Sequence, residues 1–227
     1  MKLLKLNFSL FGFLIVCLAC NNKTSNPKPN TIQVESPQKL EIFPISNQLC
    51  PTEIKFQGKL DSIFKWKDKT GEYICIQTST GIVSDTLDNG SSSGDLYTYC
   101  FKFDIAKKQY SRIWHLHDFV NNCPTDIEVE FLPNTFQITD LNKNEIPEIW
   151  TMYKTVCHGD VSPSEMKIIC YEGMKKMAMR GRNRVKVSKT ETDGGEYVLD
   201  KAFQLSDPAI IKHARNLWNT HIDQVWD

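Results

Sequence analysis

Short runs of alternating apolar and polar residues recur along most of the chain and predict antiparallel β-strands. The runs are rich in β-branched and aromatic residues, and turn-forming residues such as those at 88–94 and 106–109 separate them. No segment repeats at a fixed period, which argues against a propeller or a solenoid. The predicted strands lie near residues 73–77, 96–103, 111–119, 127–131, 135–139, 149–156, 166–171 and 177–180.

The last apolar pattern has helical rather than alternating spacing. Ser206 or Asp207 is suited to cap a helix, and Pro208 fits its first turn. The apolar residues of one helix face are Ile210, Ile211, Ala214, Leu217, Trp218, Ile222 and Val225. The sequence therefore predicts an α+β fold, mainly antiparallel β-sheet with a C-terminal amphipathic helix packed on it. A further pattern at 162–165, Ser-Pro-Ser-Glu, matches a capping box and predicts one short helical turn.

The first 19 residues have the pattern of a secretion signal that ends just before Cys20. Lys2 and Lys5 supply positive charge, residues 8–18 form an apolar run, and Ala19 suits a cleavage site. The run is shorter than the roughly 20 apolar residues that a membrane-spanning helix needs. The pattern resembles bacterial lipoproteins, in which the cysteine after the signal carries lipid. This resemblance implies a membrane anchor at Cys20 outside the cytoplasm, in the outer membrane, with the leaflet left open.

Composition divides the rest of the chain into a tether and a domain. Residues 20–38 carry prolines among Asn, Lys, Ser and Thr and predict a disordered tether. Residues 39–227 are long enough to bury a core and are predicted to form a single β-rich domain. The chain holds 27 basic and 27 acidic side chains, and this neutral balance argues against nucleic acid as a partner.

Six cysteines follow Cys20 in a compartment that permits disulfides, and their connectivity does not follow from the sequence. The single pairing that we favour joins Cys123 to Cys157, because both lie beside loop-forming residues. Cys75, Cys100 and Cys170 lie inside apolar runs, and one or more of them is expected to be a buried free thiol. No Cys-x-x-Cys pair is present, which argues against a zinc ribbon or finger.

Residues 140–148 place oxygen-bearing groups at the spacing of a loop that wraps a hard cation, and calcium is the natural candidate. The predicted ligands are the side chains of Asp140, Asn142, Asn144 and Glu148 and the backbone carbonyl near Ile146. The loop resembles the calcium loops of integrin-like repeats, although Glu145 stands where glycine is usual. The alternative is a metal-free turn in which Asp and Asn side chains cap the backbone. The sequence leaves both open, and calcium affinity would be weak.

A longer set of motifs resembles one particular family. The motifs follow in one order at 66–71, 123–124, 139–144, 148–150, 152–153, 157 and 160–167. They are similar to a family of Bacteroidota lipoproteins assigned to surface-polysaccharide biosynthesis. The resemblance implies a place in the cell envelope, with surface polysaccharide or envelope proteins as partners. It brings no catalytic residues with it.

Two smaller sets of side chains are candidates for binding. Trp66, in the loop-like sequence Lys-Trp-Lys-Asp, is the tryptophan predicted to be exposed and able to stack on a sugar ring. His115 and His117 share a face of one predicted strand and Asp118 follows, so a transition-metal site competes with a simple polar strand face.

The chain lacks the nucleophile-elbow, metalloprotease, phosphate-loop and dinucleotide motifs. This favours a non-catalytic module that binds a glycan or an envelope partner. The alternative is a polysaccharide-modifying, hydrolase-like enzyme with paired carboxylates, which would require two carboxyl groups in a cleft lined by aromatic residues. The candidate carboxylates are Asp118, Asp126, Asp140, Glu148 and Asp160. A third alternative is a purely structural domain that docks in an envelope assembly.

Overall fold

A computed structural model describes residues 50–85 and 90–224 of the chain, and the backbone of residues 41–44. All of them belong to one compact unit. The predictions for the signal segment, Cys20 and the tether fall outside the described residues. Within the described ranges, no helix is long and apolar enough to cross a membrane.

In the part of the chain that the structure describes, fourteen strands form two six-stranded antiparallel sheets and one small two-stranded sheet. The first sheet, sheet A, contains β1 Glu41–Pro44, β2 Lys59–Asp68, β3 Gly71–Ser79, β4 Val83–Ser84, β5 Ser92–Asp104 and β6 Gln109–Cys123. The second, sheet B, contains β7 Asp126–Phe131, β8 Gln137–Thr139, β9 Glu148–His158, β10 Glu165–Glu172, β11 Lys175–Arg182 and β14 Tyr197–Leu199. The small sheet pairs β12 Arg184–Lys186 with β13 Thr192–Gly194.

The alternating pattern of the sequence places one face of each large sheet in a shared core. Inward-facing residues of β5 and β6, such as Leu96 and Trp114, cluster with Ile149 and Tyr153 of β9. The Trp114 ring lies parallel to the ring of Tyr171 on β10, with 3.9 Å between the ring centroids. Buried aromatic and branched side chains therefore join the two sheets, because their apolar surface is removed from water.

The opposite face of sheet B is covered by two helices, α1 Lys201–Gln204 and α2 Pro208–His221. Ile210, Ala214 and Trp218 of α2 are buried against the methionine-rich outer face of sheet B. Asp207 caps α2, since its Oδ1 accepts a hydrogen bond of 2.7 Å from the backbone N–H of Ala209. The predicted fold class and the C-terminal helix are therefore confirmed. Helix α1, β2 and the short strands β1, β4 and β12–β14 were not predicted.

Among the described residues, the segment at 50–58 covers part of the outer face of sheet A. Ile63, Ile74 and Ile76 of this face pack against Ile54 from the segment at 50–58, which runs over β2 and β3. The backbone N–H of Gln57 donates to the Tyr99 hydroxyl at 3.2 Å and anchors the segment. The β6 side of the same face carries exposed side chains instead.

A disulfide joins Cys123 to Cys157, as predicted, with 5.5 Å between their Cα atoms. It links the end of β6 in sheet A to the end of β9 in sheet B. Cys75, Cys100 and Cys170 are free and buried, so the prediction of buried thiols is also confirmed.

The short helical turn predicted at 162–165 is wrong. Residues 162–164 have no regular structure and Glu165 begins β10. The backbone N–H of Ser164 donates to the Asn183 side chain at 2.7 Å, and its hydroxyl donates to Glu128 at 2.7 Å. These long-range hydrogen bonds replace the local ones that the capping-box pattern indicated.

Candidate functional site

Strand β6 presents three ring side chains on the outer face of sheet A. His115, His117 and Phe119 alternate with inward residues, so all three point outward at intervals of about 7 Å along the strand. All three are exposed, and Phe119 has 48% of its surface accessible. We call these three residues the ring stripe.

The rings of β5 support the stripe from the neighbouring strand. Tyr97 lies opposite His117 and Tyr99 lies opposite His115 in the β5–β6 register. The Tyr97 and His117 rings are nearly parallel with centroids 4.4 Å apart, and the Tyr99 and His115 centroids are 6.2 Å apart. The two tyrosines are buried, and each stacks side by side with the histidine opposite it on β6.

A groove of about 310 Å³ runs beside the stripe. Its lining residues are Lys55, Phe56, Gln57, Tyr97, Tyr99, Arg112, His115 and His117. The two tyrosines are buried beneath the groove, and the covering segment at 55–57 lines it together with the residues of β6. We call this feature the outer groove. It combines ring surfaces with hydrogen-bonding groups, as ligand sites in proteins do.

The polar groups of the groove are partly organised among themselves. Asp95 Oδ1 is 2.7 Å from His117 Nε2 and accepts a hydrogen bond of 3.3 Å from the Tyr97 hydroxyl. The Arg112 guanidinium lies 6.0 Å from the centroid of the Tyr99 ring. Burial, with the charges of Arg112 and His117, lowers the pKa of His115, so that its ring is neutral at neutral pH.

His115 and His117 share a strand face as predicted, but Asp118 does not join them. Asp118 points inward, where its Oδ2 is 2.8 Å from Lys167 Nζ and accepts from the Tyr153 hydroxyl at 2.9 Å. Among the described residues, no three His, Cys, Asp or Glu side chains are grouped so as to hold a metal ion. The structure therefore places Asp118 away from the two histidines, on the other face of the strand.

Trp66 is not exposed, so its prediction as a sugar-stacking residue is wrong. It lies within β2 with only 2% of its surface accessible, and its ring stacks on Tyr73 at 4.9 Å between centroids. Its indole N–H donates to Asp68 at 3.3 Å. The lysines on either side made this segment look like a loop, whereas strand alternation turns Trp66 into the core.

The loop at 140–147 connects β8 to β9 and is held by its own polar side chains. Asp140 accepts hydrogen bonds from the backbone N–H groups of Asn144 at 3.1 Å and Glu145 at 3.2 Å. Asn144 Oδ1 accepts from the N–H of Ile146 at 2.8 Å. Glu145 has a φ of 65°, in the left-handed region where glycine is more favourable. This agrees with its place in the motif, where glycine is usual. These turns are compatible with both the calcium loop and the metal-free turn.

Glu148 differs from the other predicted ligands because it is fully buried. Its Oε2 accepts hydrogen bonds from the Thr139 hydroxyl at 2.7 Å and from the N–H of Leu141 at 2.9 Å. Burial raises the pKa of the Glu148 carboxyl, and the nearby charge of Asp140 adds to the shift. Its position thus fits a structural role in holding the loop.

A second glutamate at this loop, Glu172, did not emerge from the sequence. Glu172 Oε1 accepts hydrogen bonds from the amides of Asn142 at 2.6 Å and Asn144 at 2.8 Å. Residue 172 is opposite Glu148 in the β9–β10 register, and that long-range pairing brings it to the loop. Calcium binding at this loop stays a prediction.

A larger cleft, of about 500 Å³, opens between the two sheets. Asp61 of β2 and Glu130 of β7 both line it, and so do the rings of Phe64, Phe131 and Phe136. Burial raises the pKa of the Asp61 carboxyl, while a hydrogen bond with Ser79 opposes the shift. We call this feature the inter-sheet cleft.

The five carboxylates predicted as catalytic candidates are not brought into this cleft. Its lining residues include none of Asp118, Asp126, Asp140, Glu148 and Asp160. Asp118 is paired with Lys167, Glu148 is buried at the loop, and Asp160 is exposed and accepts from the N–H of Ser162. The structure therefore does not bring these five candidates into the inter-sheet cleft, whose lining carboxylates are Asp61 and Glu130.

No protein family, curated protein or solved structure matches this chain. The resemblance to lipoproteins assigned to surface polysaccharide stays a prediction.

Proposed function

We propose that this protein is a lipid-anchored, non-catalytic glycan-binding module of the cell envelope, and that the outer groove is its binding site. The observation that carries the proposal is the ring stripe, three exposed rings on one strand beside a groove with hydrogen-bonding walls. Exposed ring surface of this kind marks an interaction site rather than a core.

The groove offers the two kinds of contact that a sugar needs. Aromatic rings bind the apolar C–H faces of sugar rings while their edges stay in water. Gln57 and Tyr99 of the groove lining bring an amide and a hydroxyl close to those rings, and Asp95 brings a carboxylate beside His117. Such groups hydrogen-bond sugar hydroxyls. The stripe spans about 14 Å, which suits a chain of sugars rather than one small molecule.

The envelope location is part of the same proposal. The signal pattern before Cys20 and the resemblance to polysaccharide-associated lipoproteins support it. The Cys123–Cys157 disulfide is compatible with it, because such bonds persist in oxidising compartments outside the cytoplasm. Surface polysaccharide is then the glycan nearest to the protein.

Binding of the purified full-length protein to a panel of bacterial surface polysaccharides tests the proposal. The Phe119→Ala variant removes the phenylalanine of the ring stripe, which is 48% accessible, and is expected to weaken binding about fivefold or more. Ile105→Ala is the matched control, since Ile105 is an exposed apolar residue of the same hairpin, 81% accessible and outside the groove.

The outcomes are distinct. Binding that falls with Phe119→Ala and not with Ile105→Ala supports the ring stripe, which adjoins the outer groove, as part of the site. A protein that binds no polysaccharide in the panel, or a Phe119→Ala variant that binds as tightly as the wild type, contradicts the proposal. A strain lacking the gene, compared with its complemented parent by gel and sugar composition, shows whether the glycan itself depends on the protein.

The inter-sheet cleft supports one alternative, a hydrolase that acts on polysaccharide. Two carboxylates from facing sheets and three phenylalanine rings line one cleft, and the raised pKa of Asp61 suits a general acid. Release of reducing ends from the same panel, lost in Asp61→Asn and in Glu130→Gln, would establish this activity. Glycan binding without any release of reducing ends leaves the binding module as the function.

A further inference from the structure

We propose that the outer groove selects an acidic glycan, one whose sugars carry carboxylate groups. This inference rests on the proposed function and names the class of its ligand. It is carried by the positive charge that the groove places beside the ring stripe.

Arg112 is the main source of that charge. Its guanidinium lies over the Tyr99 ring, 6.0 Å from the centroid, on the same outer face as the ring stripe. Among the described residues, no carboxylate lies within ion-pairing distance of Arg112. A planar guanidinium with unused donors matches a carboxylate, to which it can donate two parallel hydrogen bonds.

Lys55 of the covering segment adds a second cation to the groove lining. Its ammonium donates to the carbonyl of Thr52 at 3.2 Å, and within the described part of the chain it forms no ion pair. Both cations therefore line the same groove as the two tyrosines. A polysaccharide with a carboxylate on each repeating sugar could contact both Arg112 and Lys55, because its carboxylates recur along its length.

Two acidic groups of this face, Asp95 and Glu72, have partners of their own, while Glu53 of the covering segment is exposed. Asp95 contacts His117 and the Tyr97 hydroxyl through one oxygen. Glu72 pairs with Lys65 and accepts from the Tyr110 hydroxyl at the far end of the face. The protein as a whole carries equal numbers of basic and acidic side chains, so the positive charge of the groove is a local feature and not a consequence of composition.

The experiment uses purified full-length protein and three polymers. These are polygalacturonate, the same polymer with its carboxyl groups reduced to alcohols, and dextran sulfate. We expect polygalacturonate to bind most tightly and the reduced polymer to bind about tenfold more weakly. Binding of polygalacturonate is expected to weaken when salt rises from about 50 mM to about 500 mM, whereas binding of the reduced polymer changes little.

Two variants of Arg112 test whether its guanidinium is the group that binds the carboxylates of the polymer. Arg112→Gln removes the charge and is expected to weaken polygalacturonate binding about fivefold or more, with little effect on the reduced polymer. Arg112→Lys keeps the charge without the planar fork of donors, and its affinity for polygalacturonate is expected to lie between those of the wild type and Arg112→Gln. Arg215→Gln is the matched control, because Arg215 is an exposed arginine of α2, the helix packed on sheet B, and loses the same charge.

Failure of this inference is separable from failure of the proposed function. Equal binding of the acidic and reduced polymers, with Phe119→Ala still harmful, overturns the acidic selectivity and leaves a neutral-glycan site in the groove. Equal loss in Arg112→Gln and Arg215→Gln also overturns it, since net charge alone then explains binding. Tighter binding of dextran sulfate than of polygalacturonate assigns the groove to sulfated rather than carboxylated polymers and contradicts the carboxylate proposal.

Discussion

At the scale of single residues, Glu148 shows how one buried carboxylate holds a loop and a strand together. The Trp150 indole N–H donates to the Thr139 hydroxyl at 2.8 Å, and that hydroxyl donates in turn to Glu148 Oε2. The same oxygen accepts the N–H of Leu141. Such a network is stable because each buried donor has an acceptor, and it becomes costly when one member is removed.

We expect Glu148→Ala to lower the free energy of unfolding by about 2–4 kcal/mol, because the Leu141 N–H and the Thr139 hydroxyl lose their acceptor. Urea denaturation followed by fluorescence measures the change. Asp160→Ala is the control, since that carboxylate is exposed and bonded only to its own turn, and its denaturation midpoint is expected to stay near the wild-type value.

The buried carboxyl of Glu148 should also make the stability of the protein depend on pH. Burial raises the pKa of Glu148 in the folded state above the ordinary value of 4.5. At a pH between the ordinary and the raised value, the folded protein therefore holds a proton that the unfolded protein has lost. The contribution of Glu148 to stability therefore falls as pH rises through this interval. The Glu148→Gln variant, which cannot titrate, should lack this part of the pH dependence. Parallel curves for wild type and variant would contradict the assignment.

At the scale of elements, the loop at 140–147 is a turn whose geometry is compatible with calcium and also complete without it. Asp140 is the central residue, since both of its oxygens accept backbone N–H groups of the loop. Glu172 was missed because the sequence does not reveal the register of β9 against β10. An alternating pattern identifies a strand, but it carries no information on which residue of another strand will lie opposite.

We propose that calcium binds this loop weakly and raises the melting temperature of the protein at millimolar concentration. Asp140→Ala is expected to abolish the rise. Asp104→Ala is the matched control, because Asp104 caps a turn in the same way, accepting the N–H groups of Ala106 and Lys107, but lies in the β5–β6 connection. A wild-type melting temperature that does not change with calcium leaves the metal-free turn as the correct alternative.

The β5–β6 hairpin shows which features of the groove follow from the sequence of one strand and which depend on the pairing of two strands. The sequence placed His115 and His117 on one strand face, which is correct because alternation is local. It did not show that Tyr97 and Tyr99 would lie opposite them or that the segment at 55–57 would form the other wall. Trp66 was misplaced for a related reason, since two flanking lysines outweighed the strand alternation in our interpretation.

At the scale of the whole molecule, two sheets, a disulfide and a helical layer form a compact domain. The predicted anchor, Cys20, precedes this domain and lies outside the described residues. The domain itself has no helix, within the described ranges, that could hold it in a bilayer. In our proposal, lipid at Cys20 attaches the protein to the membrane.

We expect Cys20→Ala to move the protein from the membrane fraction to the soluble fraction, because the cysteine that accepts lipid is lost. Immunoblotting of separated fractions measures the shift. Cys50→Ala is the control, since Cys50 is a free, half-buried cysteine of the domain, and this variant should stay with the membrane. A Cys20→Ala protein that remains in the membrane fraction would contradict the lipoprotein assignment.

The sequence by itself determined the fold class, most of the long strands, the C-terminal helix, with Ser206 or Asp207 as its cap, and the presence of buried thiols. These follow from periodicity and capping, which act between residues close in the chain. It also favoured the Cys123–Cys157 pairing, although only the structure established it. The tertiary structure alone decided that Trp66 is buried, that Asp61 and Glu130 share a cleft, and that Glu172 reaches the loop. Each of these depends on sheet register and on the packing of one sheet against the other, which local patterns do not encode.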